Sequence, residues 1–272
     1  MSLNFFRPYW ISLSLEVRKL LTYRVNLLVE FVGEVLSYSV VSYFLWRAVY
    51  ETTGQAMLGG YTFHQMMAYS VLVPMIYKIV MGPAMHFLSE DVYTGSLSRY
   101  LVYPVNYFGI KLSTNLATSF LGCAQTLFFL GVMTLIPALN LGQTVSLSNL
   151  LLGLITAILV SPLYFVLECS IEMAAFWAEG VWSLSVMLKL ILAILGGGMI
   201  PLSFFPEKIQ PILEHLPFAL MASFPIRTAM GRVDLSEWLY SMLLVLGWTL
   251  LALAVQAQIW KRGLKGYSGV GM

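Results

Sequence analysis

A chain of 272 residues that is 59% hydrophobic and 10% charged, with a mean hydropathy of +0.80, has too little polar surface to cover a water-soluble globule of this size. It reads as an all-α polytopic membrane protein, and a formal net charge of +2 argues against a nucleic-acid partner. Cys123 and Cys169 lie in apolar surroundings without metal spacing and read as small core residues.

In chain order, residues 7–24 come first. They put Trp10, Leu13, Val17 and Leu20 on one helical stripe and Ser12, Glu16, Lys19 and Tyr23 on the other, the pattern of a helix lying in the membrane interface. Six apolar runs follow, at about 25–49, 62–88, 107–135, 150–168, 182–204 and 238–260. A span needs roughly 20 mainly apolar residues, so six transmembrane helices are expected. The first run contains Glu30 and Glu34 and no small-residue cleavage site, which makes it an uncleaved span and not a signal peptide.

Between the second and third runs, residues 89–105 form a polar, turn-prone island. Leu97 and Leu101 stand one helical turn apart, Gly95 marks the start and Pro104 the stop, so a short helix at the membrane face is expected. Lys and Arg in the short flanks set the orientation. With a cytoplasmic amino terminus, that side receives Arg7, Arg18, Lys19, Arg24, Arg99, Lys111, Lys189, Lys261, Arg262 and Lys265, against Arg47, Lys208, Arg227 and Arg232 opposite. Both termini and the 89–105 loop are thus assigned to the cytoplasm, and the uncharged stretch 137–149 to the outside.

Residues 205–232 are neither a normal span nor an ordinary loop. Prolines at 201, 206, 211, 217 and 225 cut the region into pieces too short to cross a bilayer. Two short helices re-entering from outside are expected, capping the outer end of a pathway, because broken backbone at membrane depth needs protein or water around it.

Charges within the runs need partners. Glu34 and Lys78 come to a similar depth when counted from the cytoplasmic ends, so an ion pair between them is expected, either as a structural lock between spans one and two or as part of the pathway or dimer seam. Glu168, Glu172 and Glu179, at the inner end of span four and in the loop after it, read as a solvated rim or as a second contact with a soluble partner, the rim being favoured. His64, His86 and His215 lack the spacing of a ligand pair, and no metal site is expected. Gly196, Gly197 and Gly198 remove side chains where a hinge or close helix packing would need it. Tyr43, Phe44, Trp46, Tyr50, Trp177, Trp182, Trp238, Trp248 and Trp260 read mostly as belt aromatics.

These motifs together resemble one family. In ABC-2 type permeases the cytoplasmic loop after the second span carries an acidic residue, then x-x-x-Gly-Ser/Thr-Leu-x-x-x-Leu-x-x-Pro. Asp91, Gly95, Ser96, Leu97, Leu101 and Pro104 fill those places. The Gly196–Pro206 stretch followed by Leu216-Pro217-Phe218 adds to the likeness, as does the Leu20–Asn26 start, which is similar to the bacterial branch with separately encoded membrane subunits. The resemblance implies one ABC-2 transmembrane domain over residues 1–272 in the bacterial inner membrane. It also implies two copies of an ATP-binding subunit and a second permease chain, a homologous heterodimer being favoured over a homodimer. On this reading Asp91, Gly95, Ser96, Leu97, Arg99, Leu101, Pro104, Glu16 and Lys19 meet the ATPase. ATP and Mg would be bound by that partner, since this chain has no G-x-x-x-x-G-K-[ST] loop and needs no cofactor of its own. A weakly charged, aromatic and Met-containing bundle suits a lipid-like or amphipathic cargo. A secondary transporter would show internal repeats with broken helices at midplane, and an intramembrane enzyme a Ser/His, paired Asp or His-metal constellation; neither is visible.

Overall fold

The computed structural model describes residues 3–82, 87–134 and 145–269. The described chain is all-α apart from one two-residue strand pair. Helix α1 spans Leu3–Thr22 and α2 Arg24–Thr53; β1 (Met57–Leu58) and β2 (Tyr61–Thr62) precede α3 (Phe63–Met81). Then come α4 (Phe87–Tyr93), α5 (Leu97–Val102), α6 (Tyr107–Thr134), α7 (Leu147–Glu172) with a 3-10 turn at Met173–Phe176, and α8 (Trp182–Leu195). A 3-10 turn at Leu202–Phe204 leads to α9 (Gln210–His215), α10 (Pro217–Met221), α11 (Ser223–Ala229) and α12 (Leu235–Gly266).

Local chemistry sets these boundaries. Gly54 takes φ +63 and its N–H closes α2 on the Tyr50 carbonyl at 3.0 Å. Gly59 and Gly60, with φ +56 and +78, form the two-residue turn that pairs Leu58 with Tyr61 and Met57 with Thr62. A reciprocal cap then starts α3, the Gln65 N–H donating to Thr62 Oγ1 and the Thr62 N–H to Gln65 Oε1. Ser146 and Asp234 cap α7 and α12 in the same sense.

Among the described residues, four helices are long and apolar enough to cross a membrane: Arg24–Thr53, Tyr107–Val132, Leu147–Phe176 and Leu235–Gly266. The core is built on α3 and α7, whose Met75, Ile76, Ile79, Ala157, Val160 and Leu163 are fully enclosed. Ser119 on α6 donates to the Ile79 carbonyl at 2.7 Å, fastening α6 to α3. Gly153 on α7 lets the α11 backbone approach so closely that a Cβ there would lie 2.7 Å from Ala229 Cα. By contrast α2 and α12 bury only 17% of their apolar windows, so most of their Leu, Val and Phe side chains face away from the bundle.

Three sequence expectations change here. The run at 182–204 is helical only to Leu195, and Gly196–Gly198 end the helix instead of sitting inside it. Segment 205–232 folds as three short helices, not two, because the chain breaks again at Ala222, where φ is −121° and ψ −72°. Glu168 and Glu172 belong to α7, which runs past residue 168, and both are buried, so they are not a solvated rim. Several supposed belt aromatics are also engaged by the bundle, Trp46 buried and Trp238 and Trp248 half-buried. Trp46 lies against Phe204, Trp238 donates to Thr156 and Trp248 to the His215 carbonyl. His86 and most of the 137–149 stretch lie outside the described residues.

Candidate functional site: the α4–α5 foot

At one end of the bundle, where α6 begins and α7 and α12 finish, α4 and α5 form a short projecting foot. Gly95 turns the chain between them with φ +73, a conformation a side chain would strain. Leu88, Val92 and Leu97 then meet Met173 and Val181 in a small apolar cluster of their own. Leu97 is completely buried there.

Polar groups hold the foot to three neighbouring elements. The carboxylate of Glu172, at the end of α7, accepts from the N–H groups of Leu88 and Ser89 at 2.9 and 3.3 Å, satisfying two of the exposed donors that open α4. Asp91 accepts from the Ser96 hydroxyl at 3.0 Å and the Tyr107 hydroxyl at 2.7 Å, and Lys111 Nζ lies 3.0 Å from its second oxygen. Tyr93 donates to the Ala178 carbonyl at 2.9 Å, and Ser98 approaches Tyr267 beyond α12.

Lys111 is the centre of this arrangement. Its ammonium stands 4.9 to 5.4 Å from the ring centroids of Phe87, Tyr100 and Tyr107, within the range where an aromatic face attracts a cation. Tyr107 in turn stacks on Trp260 of α12 at 5.9 Å. With side chains only 15% and 14% accessible, Lys111 and Asp91 form a mostly enclosed pair whose strength depends on the extra bonds from Ser96 and Tyr107.

The expected contact residues therefore separate into two groups. Asp91, Ser96 and Leu97 point into the protein and shape the foot, so they are not its outer surface; Gly95 serves the turn. Arg99, Leu101 and Pro104 are exposed, together with Val102 at 84% and Tyr103 at 58% accessibility. Glu16 and Lys19 pair with each other on α1 at 3.2 Å, and no described contact joins them to the foot. α1 lies along α6, where Gly109 leaves room for the Tyr9 ring. Lys111 and Tyr107 were not singled out in the sequence as parts of this site, and Glu172 was singled out only as a rim or second-contact carboxylate; a lysine one turn into an apolar run after an aromatic was the available signal.

The expected ion pair between Glu34 and Lys78 does not form. Glu34 is exposed on α2 and Lys78 half-buried on α3, with no ion pair between them. Glu30 instead accepts from the Asn26 amide at 2.6 Å.

Gly196–Gly198 are a packing point of defined chemistry. The hydroxyls of Tyr69 and Tyr38 donate to the carbonyls of Gly197 and Gly198 at 2.6 and 2.7 Å, and Tyr77 reaches the Leu192 carbonyl at 3.3 Å. Carbonyls left over where α8 stops are thus taken up by tyrosines of α2 and α3. A Cβ on Gly198 would overlap the Tyr77 hydroxyl.

Residues 36–271 match the family model described as ABC-2 family transporter protein. No curated protein and no solved structure matches the chain. With a family match over most of its length and helices apolar enough to cross a membrane, the chain belongs to the ABC-2 transporter family, as an ABC-2 type permease.

Proposed function

We propose that this permease is the membrane subunit of an ATP-driven exporter whose foot, α4–α5, receives the stroke of a separate ATP-binding subunit. Such permeases are transport components and generally work with an ATP-binding subunit. The observation that carries the reading is the combination of an exposed apolar tip, Leu101–Pro104, with a base tied to α6, α7 and α12 through Asp91, Lys111, Glu172 and Tyr107. A solvent-facing Val102 beside Leu101 and Tyr103 is the type of surface a protein partner covers. Because the base is held by several helices, a push on the tip is passed to the spans and not absorbed in a loose loop.

In this reading α3 and α8 complete six spans with the four long helices, both termini and the foot face the cytoplasm of a bacterial cell, and 205–232 caps the outer end. Two ATP-binding subunits dock on a pair of permeases, of which this chain is one and a homologous chain the other. The outward-facing apolar sides of α2 and α12 meet lipid and that second chain. Glu34, exposed at membrane depth, is too costly against lipid and belongs at the seam or pathway wall between the two permeases. The cargo is lipid-like or amphipathic, and ATP and Mg are bound by the partner.

Affinity purification of the full-length chain from its native membrane tests this. A soluble ATPase should be recovered with the wild type and lost with Leu101→Asp or Val102→Asp, while the variant remains in the membrane fraction. Recovery of the same ATPase with both variants, or transport by the purified chain alone, would overturn the proposal.

A further inference from the structure

The last turns of α12 have two unlike sides. Trp260 packs against Phe176 and Tyr107 at 5.7 and 5.9 Å, a Cβ on Gly263 would strike the Phe176 ring, and Leu264 joins the apolar cluster of the foot. Lys261 and Lys265, one turn apart, lie on the side turned away, with Arg262 beside them. All three are exposed, and no acidic side chain pairs with any of them among the described residues. The carbonyls that end α12 favour cations nearby, but they carry only about half of one negative charge.

The same side of α12 is apolar on the approach to these cations. Leu239, Leu243, Leu246 and Leu250, each more than half exposed, follow one another at helical spacing, and the exposed Ala254 and Ala257 continue the column to Lys261. The two alanines leave a shallow recess between Leu250 and Lys261. Those two residues stand about 16 Å apart at 1.5 Å per residue, close to half of a hydrocarbon core roughly 30 Å thick. An apolar column as long as one leaflet, ending in three cations, matches a lipid with an acidic head group in both length and charge. A subunit docked on α5 would meet the other side of the helix. We propose that the foot-side end of α12 binds an anionic phospholipid of the adjoining leaflet, its phosphate held by Lys261, Arg262 and Lys265 and an acyl chain lying over Ala254 and Ala257 against Leu250. The assignment goes beyond the function proposed above and needs α12 only as a membrane span.

Binding to the purified full-length chain in neutral detergent is the test, with dioctanoyl phosphatidylglycerol, dioctanoyl phosphatidylcholine and inorganic phosphate as probes. The acidic lipid should bind about tenfold or more tightly than the zwitterionic one and more tightly than phosphate, and its advantage should shrink as salt is raised. Lys261→Gln, Arg262→Gln and Lys265→Gln should each weaken the acidic lipid about fivefold, the scale of one basic side chain near an anionic surface. Phosphatidylcholine binding should stay the same in all three, which shows that they are folded, and the triple variant should bind both lipids alike. Neutralising Arg7, Arg18 and Arg24 together, three exposed cations on α1 and α2, should leave the preference intact. An equal loss there would assign the effect to net charge and overturn the site. Equal affinity of the wild type for the two lipids, phosphate binding as tightly as the acidic lipid, or an unchanged preference in the triple variant overturns it too. Were that last result joined by loss of ATPase capture, the three cations would belong to a protein interface instead. No ATPase enters the lipid measurement, so its failure leaves the partner-capture test untouched.

Discussion

Lys111 Nζ sits 3.0 Å from Asp91 Oδ2, joining the first turns of α6 to the last turn of α4 across a sequence gap that contains the whole of α5. The pair shares Asp91 with the Tyr107 hydroxyl, and Tyr107 rests on Trp260. A displacement of the foot therefore reaches α6 and α12 through bonded groups and a ring stack, not through flexible chain.

Removing both partners of that pair should cost less than the two single removals added together. Lys111→Met leaves the Asp91 carboxylate mostly enclosed with only hydroxyl donors, a loss on the order of 1–3 kcal/mol for a charged group deprived of a partner. Asp91→Asn keeps acceptors for Ser96 and Tyr107 and should cost less. The double variant should be less destabilised than the sum of the two singles, which a double-mutant cycle on thermal unfolding would read. Strict additivity would show that the two side chains do not interact energetically.

Glu172 should matter through its acceptor oxygen as well as its charge. Glu172→Gln retains an oxygen that can accept from Leu88 and Ser89, whereas Glu172→Ala leaves both amides at the start of α4 without it. The alanine variant should be less stable than the glutamine by about 1–2 kcal/mol, and limited proteolysis should cut it faster around 94–104. Equal stability and equal cleavage of the two variants would remove the carboxylate from any role in holding the foot.

Much of this was legible in the sequence, and the failures have physical causes. Long apolar runs gave α2, α6, α7 and α12, while Gly95, Pro104 and the prolines of 201–225 marked real turns. Depth along a helix is countable at roughly 1.5 Å per residue, but the direction a side chain faces depends on which side of the helix is packed. On α2 that side is Phe31, Val35, Ser42 and Trp46, and Glu34 falls off it, so agreement in depth with Lys78 produced no pair. Leu97 was read as an outer contact on the strength of the family resemblance, whose motif picks out the residues of the loop without saying which of them the fold covers. The grip of Glu172 on Leu88 joins residues 84 apart in sequence, and no local pattern encodes such a distance.

Asp234 should give α12 a measurable acid sensitivity. Hydrogen bonds from the Glu237 N–H, the larger influence, and from Ser236 hold its carboxyl below the ordinary aspartate range. A depressed folded value means that the cap's contribution is complete above the unfolded aspartate pKa and is lost as pH falls through the folded one. Asp234→Asn retains a capping oxygen without titrating, so its thermal midpoint should vary less with pH below about 4 than that of the wild type. Asp234→Ala should lower the midpoint at neutral pH. Identical acid profiles for wild type and Asp234→Asn would exclude this carboxylate as a source of the sensitivity.

The tyrosine contacts at the end of α8 give a double-variant prediction with a definite sign. In Gly198→Ala the new methyl group would occupy the position of the Tyr77 hydroxyl, so Tyr77 must move and its bond to the Leu192 carbonyl, 3.3 Å long, is lost. Overpacking of this type costs typically 1–3 kcal/mol. Tyr77→Phe alone gives up one hydrogen bond, on the order of 1 kcal/mol, but it removes the atom with which the methyl collides most severely. Added to Gly198→Ala it should recover part of the lost stability, so the double variant should unfold at a higher temperature than Gly198→Ala alone. Tyr38→Phe, whose hydroxyl reaches the Gly198 carbonyl from α2, should give no such recovery, because it relieves no overlap and removes the bond to the Gly198 carbonyl as well. Recovery by Tyr38→Phe equal to that by Tyr77→Phe would mean that the overlap with the Tyr77 hydroxyl is not what makes Gly198→Ala costly.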